Sequence, residues 1–280
     1  MSLLAVPELP ETETIARDLN GAISGRRIEK VSVRKTDVLR EVSARSLSKR
    51  LRQTTIVKSW RRAKLVVIDL DSGDRIVVQP RFTGALLIDD GSLTASDLSY
   101  STLRLELDDG RALHYADVRR LGTVALMDAD RFEEYTGRLG IEPLDRAFTS
   151  THLSAVLRAT SQPVKKVLME QRKIAGIGNI YANEALWRAR IDPSRPSSSV
   201  SVEEAGLLRD SIVGVLEEAI EARGTSFRDY RDARGKRGSF VEKLQAYGRA
   251  GLPCPRCGAK LVATHAIDGR ATTLCVKCQR

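Results

Sequence analysis

Cysteine is nearly absent from this chain of 280 residues, and all four cysteines fall within the last 27 residues. Histidine is scarcer: His114, His152 and His265 stand far apart and form no cluster, so none is assigned a catalytic role. No apolar run reaches the roughly 18 residues that a membrane-spanning helix needs. The stretch from Met1 to Pro7 lacks a basic start and a long enough apolar segment for a secretory signal. The expected location is therefore the cytoplasm, where thiols stay reduced. Internal repeats and low-complexity tracts are also missing. What is present is a 42% hydrophobic fraction, enough to fill a core and to exclude wholesale disorder. The length suits one large domain or two ordinary ones.

Charge is distributed unevenly. From Arg223 to Arg280 there are 13 Lys/Arg against four Asp/Glu, so nearly the whole formal excess of +10 sits in the last fifth of the chain. Such an excess points to a polyanion-binding surface. Phe227, Tyr230, Phe240 and Tyr247 interleave with these cations, which argues for a folded or stacking surface over a solubilising tail.

Hydrophobic spacing divides the chain. Residues 10–22 read as a helix, with Pro10 in its first turn and Ile15 and Leu19 on one face. From about 28 to 128 the pattern is that of short strands, at 56–57, 65–70, 75–78, 85–88, 103–107, 112–115 and 123–127. Ser72-Gly73 and Asp109-Gly110 mark tight turns. Leu103, Leu105 and Leu107 alternate with polar residues, so this reads as a β-sandwich. Beyond about 150 the period is helical. A helix capped by Thr149 or Ser150 carries Leu153, Val156 and Leu157, a second covers about 162–171, and a third starts near Asn179. Ser201-x-x-Glu204 is a capping box before a long helix with Leu208, Ile212, Leu216 and Ile220 on one stripe. Residues 223–239, rich in Arg, Gly and Asp, read as a mobile loop.

Cys254-x-x-Cys257 is followed after 17 residues by Cys275-x-x-Cys278. Two such knuckles each supply two thiolates from one tight turn, and the hairpin between them brings the pairs together. One structural Zn²⁺ held by Cys254, Cys257, Cys275 and Cys278 is the expectation. Four thiolates leave no open coordination position, so this metal organises structure and performs no chemistry. Arg270 lies in the intervening hairpin, where it can be presented to a phosphate.

The opening Pro7-Glu8-Leu9-Pro10-Glu11-Thr12-Glu13-Thr14 resembles the N-terminus of the formamidopyrimidine-DNA glycosylase and endonuclease VIII family. Further matching segments follow in the same order: Arg61-Arg62-Ala63-Lys64, Asp117-Val118-Arg119-Arg120-Leu121-Gly122, Gly176-Ile177-Gly178-Asn179-Ile180-Tyr181-Ala182, Tyr247-Gly248-Arg249 and the four-cysteine hairpin. The resemblance runs from Pro7 to Arg280. It implies an α+β multidomain protein: a β-sandwich with an N-terminal helix (7–130), a connection (131–150), a helix–two-turns–helix domain (151–245) and a zinc-finger hairpin (246–280). It implies a monomeric, bacterial-type base-excision-repair enzyme, nucleoid-associated while acting, whose partner is damaged double-stranded DNA and not a membrane. The damaged nucleotide would be flipped out of the stack into a basic cleft.

The chemistry implied is that of a bifunctional glycosylase and lyase. Pro7 would attack C1′ of the damaged nucleotide through its amine, and β,δ-elimination would follow. An α-amino group near pKa 8 is roughly 10% neutral at pH 7, against about 0.04% for an ordinary Lys. By the family pattern Glu8 protonates the opening sugar ring and Glu11 holds the site. Lys64, Lys165, Asn179 and Arg270 take phosphates, and Phe82, Arg119 and Leu121 fill the gap left by the flipped base. The segments Gly224 to Tyr230 and Tyr247 to Arg249 are closer to the formamidopyrimidine branch, which favours 8-oxoguanine and formamidopyrimidines over oxidised pyrimidines.

Six residues precede Pro7, and inside a chain its nitrogen is an amide with no nucleophilic lone pair. The expected resolution is a start at Val6, where a GTG codon is read as Met and then removed. Other readings stay open at this point: an endonuclease VIII-type enzyme, a damaged-DNA-binding protein that retains the extension, or a zinc-ribbon binding module.

Overall fold

The computed structural model describes residues 7–227 and 229–280, so the expected start at Val6 lies outside the described residues. The chain forms two compact units. One takes in residues up to Gly137 together with 222–239, and the other takes in 138–221 and 240–280. The first boundary falls inside the segment expected as the connection. The return of 222–239 to the first unit was not expected.

The first unit opens with helix α1 (Leu9–Ile23). Leu9, Ile15, Leu19 and Ile23 are all fully buried, each worth about 1.5–3 kcal/mol over an exposed position. Strands β1 (Ile28–Val33) and β2 (Leu39–Arg40) follow, then helix α2 (Ala44–Leu51). Next come β3 (Ile56–Arg62), β4 (Leu65–Leu70), β5 (Arg75–Gln79), β6 (Gly84–Asp89), the short helix α3 (Ala95–Leu98), β7 (Ser101–Leu107), β8 (Ala112–Asp117), β9 (Thr123–Met127) and helix α4 (Ala129–Thr136).

These strands build a five-stranded sheet, β2-β9-β5-β4-β3, and a four-stranded sheet, β1-β7-β8-β6, antiparallel except where β2 meets β9. Leu103, Leu105 and Leu107 join Val66, Ile68, Leu113 and Val124 in one core, as the alternation predicts. The opposite face of the five-stranded sheet is covered too: Leu65, Val67, Val77 and Met127 pack with Phe132 of α4, and Trp60 meets Phe132 edge-on at 5.6 Å. Burial on both faces explains why 65–68 is an unbroken apolar run.

The second unit contains α5 (Ser150–Arg158), α6 (Val164–Met169), α7 (Asn179–Ala189) and α8 (Val202–Glu221), then the hairpin of β10 (Val262–Thr264) and β11 (Thr272–Leu274). Thr149 caps α5. The box before α8 forms reciprocally, with Ser201 N–H donating to Glu204 at 2.8 Å and Glu204 N–H to Ser201 Oγ at 3.1 Å. The second expected helix is shorter than 162–171 because the chain turns twice between Glu170 and Gly178 before α7. Gln171 pins these turns, accepting from Gly176 N–H (2.9 Å) and donating to Ile177 C=O (2.8 Å). No described helix is long and apolar enough to cross a membrane.

The segment 223–239, expected as a mobile loop, is tied down at several described residues. Arg223 pairs with Asp18 of α1 and with the buried Asp232, and Ile88 N–H donates to Ala233 C=O at 2.8 Å. Tyr230, Phe240 and Tyr247 are buried and serve packing, whereas Phe227 is only half-buried.

Candidate active site and phosphate contacts

The first turn of α1 holds the acids expected to act. Pro7 is buried, and Glu8, only 3% exposed, is the N-cap. Its backbone N–H donates to Glu11 Oε2 at 2.8 Å. The other oxygen of Glu11 accepts from Thr225 N–H at 2.8 Å, and Tyr230 Oη donates to Glu11 C=O at 3.3 Å. One buried carboxylate thus couples the backbone beside Pro7 to the 222–239 segment.

The β3–β4 hairpin, which carries Lys64, is clamped to the same turn. Arg61 donates to Glu13 Oε2 (2.8 Å) and to Ala63 C=O (3.2 Å), and Thr12 Oγ1 lies 3.3 Å from Ala63 C=O. Burial alone would raise the Glu13 carboxyl. The charge and hydrogen bonds of Arg61, with those of Arg17, outweigh it and hold the group below its ordinary value. Ala63 takes a left-handed conformation (φ 52°) at the hairpin tip, and Lys64 follows, half-buried.

Phe82 lies on one loop of this unit, and Arg119 and Leu121 lie on a second loop tied to it through Asp117. The Arg119 guanidinium stacks 4.8 Å from the Phe82 ring centre, and Leu121 is 40% exposed. Asp117, at the end of β8 and 1% exposed, holds both loops. Its carboxylate accepts from Thr83 Oγ1 (2.6 Å), Arg119 N–H (3.2 Å), Gly122 N–H (2.8 Å) and Tyr115 Oη (3.2 Å). Burial, with Asp117 beside it, pushes the Tyr115 phenol far above its usual range. Gly122 is required by close approach, since a Cβ there would lie 1.9 Å from Tyr115 Oη and 2.8 Å from Gln79 C=O. Asp117 was not singled out from sequence. Its only signal was an acid inside an otherwise basic motif.

In the second unit the hairpin is gripped by α6 and α7. Lys165, expected to face phosphate, is instead fully buried. Its Nζ donates to Thr272 Oγ1 at 2.7 Å and lies 3.5 Å from Asp268, because the hairpin folds over the start of α6. Asn179 donates to Ala271 C=O (3.1 Å), and Asn183 accepts from Thr273 N–H (2.7 Å). Arg270 stands exposed between these anchors, its N–H on Asp268. Glu184, fully buried on α7, accepts three backbone N–H bonds from Gln245, Ala246 and Tyr247 at 2.7–3.0 Å. Desolvation pushes its carboxyl up despite those bonds.

The four cysteines converge, all Sγ atoms lying within 4.8 Å of one another and none in a disulfide. Four thiolates at tetrahedral vertices about 2.3 Å from a Zn²⁺ lie just under 4 Å apart, so the cluster fits a closed metal site. Trp187, Ala246 and Leu261 pack against it, and Arg256 stacks on Trp187 at 4.2 Å.

The chain is similar to known proteins over nearly its whole length. Residues 6–124 match the family described as the formamidopyrimidine-DNA glycosylase N-terminal domain, and 139–231 match the formamidopyrimidine-DNA glycosylase H2TH domain. A formamidopyrimidine-DNA glycosylase from Heliobacterium modesticaldum is 40% identical over 278 residues, covering 98% of this chain and all of the relative. The MutM (Fpg) crystal structure from Thermus thermophilus superposes with a TM-score of 0.85 at 34% identity, over 98% of both chains. The Lactococcus lactis Fpg in complex with N7-benzyl-Fapy-dG-containing DNA superposes at 0.89 and 32% identity, over 98% of this chain and all of that one.

Proposed function

Because the chain belongs to the formamidopyrimidine-DNA glycosylase family, we propose that it is a base-excision-repair enzyme that removes oxidised purines from duplex DNA and then cuts the strand. The observation that carries this reading is the first turn of α1. There a buried Glu8 follows Pro7, and Glu11 and the Lys64 hairpin are locked on.

The chemistry requires Pro7 to be the first residue of the working protein. Its secondary amine then adds to C1′ of the damaged nucleotide as the base departs. Glu8 gives a proton to the ring oxygen, the ring opens, and the nitrogen lone pair closes a Schiff base. Loss of the C2′ proton expels the 3′-phosphate, and a second elimination expels the 5′-phosphate. Lys64, Asn179 and Arg270 hold phosphates, while Lys165, bonded to Thr272, supports the hairpin that presents Arg270. Phe82, Arg119 and Leu121 enter the stack where the base has left, the guanidinium bonding the orphaned partner base.

Zn²⁺ is the metal the four thiolates suit, and when bound it locks the hairpin fold. Cys257→Ser is expected to lose the metal and to weaken duplex binding by at least tenfold, since Arg270 loses its support. Zinc content and duplex affinity measured together check this, and unchanged values of both would count against the site.

The lesion class is tested with two matched duplexes, one holding 8-oxoguanine and one an oxidised pyrimidine. Excision at least tenfold faster on the first is expected. The opposite order would assign the chain an endonuclease VIII-type substrate.

A further inference from the structure

Strand β1 is an edge. Its partner in the four-stranded sheet is β7, with Ser32 opposite Arg104 and Val33 opposite Leu103. Arg34 N–H donates to Thr102 C=O at 2.8 Å. Hydrogen-bonded and non-bonded positions alternate along an antiparallel pair, so Val31 and Val33 turn their N–H and C=O groups away from β7. Among the described residues nothing pairs with those four groups. The edge is paired at its start, where Ile28 exchanges bonds with Thr54 and Gln53 at 2.8 and 2.7 Å, and α2 packs beside the strand across a groove.

This groove of about 890 Å³ lies beside β1 as far as Val31, within the size range of ligand sites, and Val33 continues the edge beyond it. Glu29, Lys30 and Val31 line one side, and Ser48, Lys49, Arg52 and Gln53, from α2 and the turn after it, line the other; the one acid of the lining, Glu29, lies 3.7 Å from Arg27. The surrounding segment 26–52 carries ten Lys/Arg against three Asp/Glu. Lys30, which would guard the edge, lies 3.3 Å from Glu106 of β7. Lys49 and Arg52 are exposed, and among the described residues neither has an acidic partner.

We propose that this groove binds an acidic, extended segment of a partner protein, which adds to β1 as a fifth strand of the sheet. The backbone of that segment meets Val31 and Val33, and carboxylates at alternate positions meet Lys49 and Arg52. A peptide suits the edge better than a nucleic-acid backbone. Phosphates offer acceptors alone and leave the Val31 and Val33 carbonyls unmet, whereas a peptide offers donors and acceptors together.

The test uses the full chain and a labelled peptide of alternating Asp and Val, followed by fluorescence anisotropy and by amide hydrogen exchange. Saturable binding is expected, with slowed exchange at Val31 and Val33. Lys49→Glu with Arg52→Glu should weaken it at least tenfold, and N-methylating alternate residues of the peptide should do the same. The double variant should keep its thermal midpoint and its excision rate, because both residues lie on the surface and outside the catalytic machinery. No binding would overturn the proposal. So would equal binding of the N-methylated peptide, or displacement of the peptide by undamaged duplex that protects the same two amides.

Discussion

Glu8→Gln is expected to lose excision of 8-oxoguanine by about 10²- to 10⁴-fold, the range for removing a general acid, while its affinity for the same duplex stays within about twofold. A carboxamide fills the same space as the carboxyl but has no proton to give to a sugar ring oxygen. The carboxamide oxygen can still accept from the Glu11 N–H, as the Glu8 carboxylate does in the capping box of α1. The Glu8 N–H bond to Glu11 is made by the backbone, and the contact of Glu11 with Thr225 does not involve the Glu8 side chain. Groups expected to hold DNA, Lys64 and Arg270, lie on other elements. Single-turnover excision and equilibrium binding on one duplex separate the two effects. Normal excision by the variant would remove Glu8 from its assigned role.

Asp117→Ala should have the second largest effect, for a different reason. One buried carboxylate satisfies two backbone N–H groups, a hydroxyl and a phenol, and so sets the geometry of both loops that carry Phe82, Arg119 and Leu121. Without it Gly122 N–H and Tyr115 Oη are left buried and unpaired. At about 1–3 kcal/mol for each orphaned group, a stability loss of about 3 kcal/mol is expected. Excision should fall further than stability alone explains, because on the proposed reading the three side chains would no longer enter the stack together. Chemical unfolding and excision below the melting transition check the two parts. A destabilised variant with unaltered excision would show that the loops act without this support.

What could be read from sequence follows the range of the interaction. The strands at 65–70 and 103–107 and the cap at Thr149 are set by residues close in the chain, and each forms where its pattern places it. The cysteine cluster is also local in this sense, since two knuckles and one hairpin suffice. Lys165 illustrates the limit. A Lys near a helix start reads as a phosphate contact, but its partners Thr272 and Asp268 lie more than 100 residues on and draw it inside. Residues 223–239 read as mobile because Arg and Gly abound there. The carboxylates that anchor them, Glu11 and Asp18, come from α1 at the other end of the chain. The motif that Asp117 opens does not reveal its role, because one of its partners, Thr83, is 34 residues away and leaves no periodic trace.

The central claim is that the nitrogen of Pro7 makes the covalent bond to DNA. Borohydride reduces a transient Schiff base to a permanent link, so the direct measurement is trapping on a duplex containing 8-oxoguanine with protein whose chain opens at Pro7. A covalent protein–DNA band that maps to Pro7 by peptide mass analysis is expected. No band from protein that binds the duplex tightly and retains its metal, or a band that maps to a lysine, would contradict it.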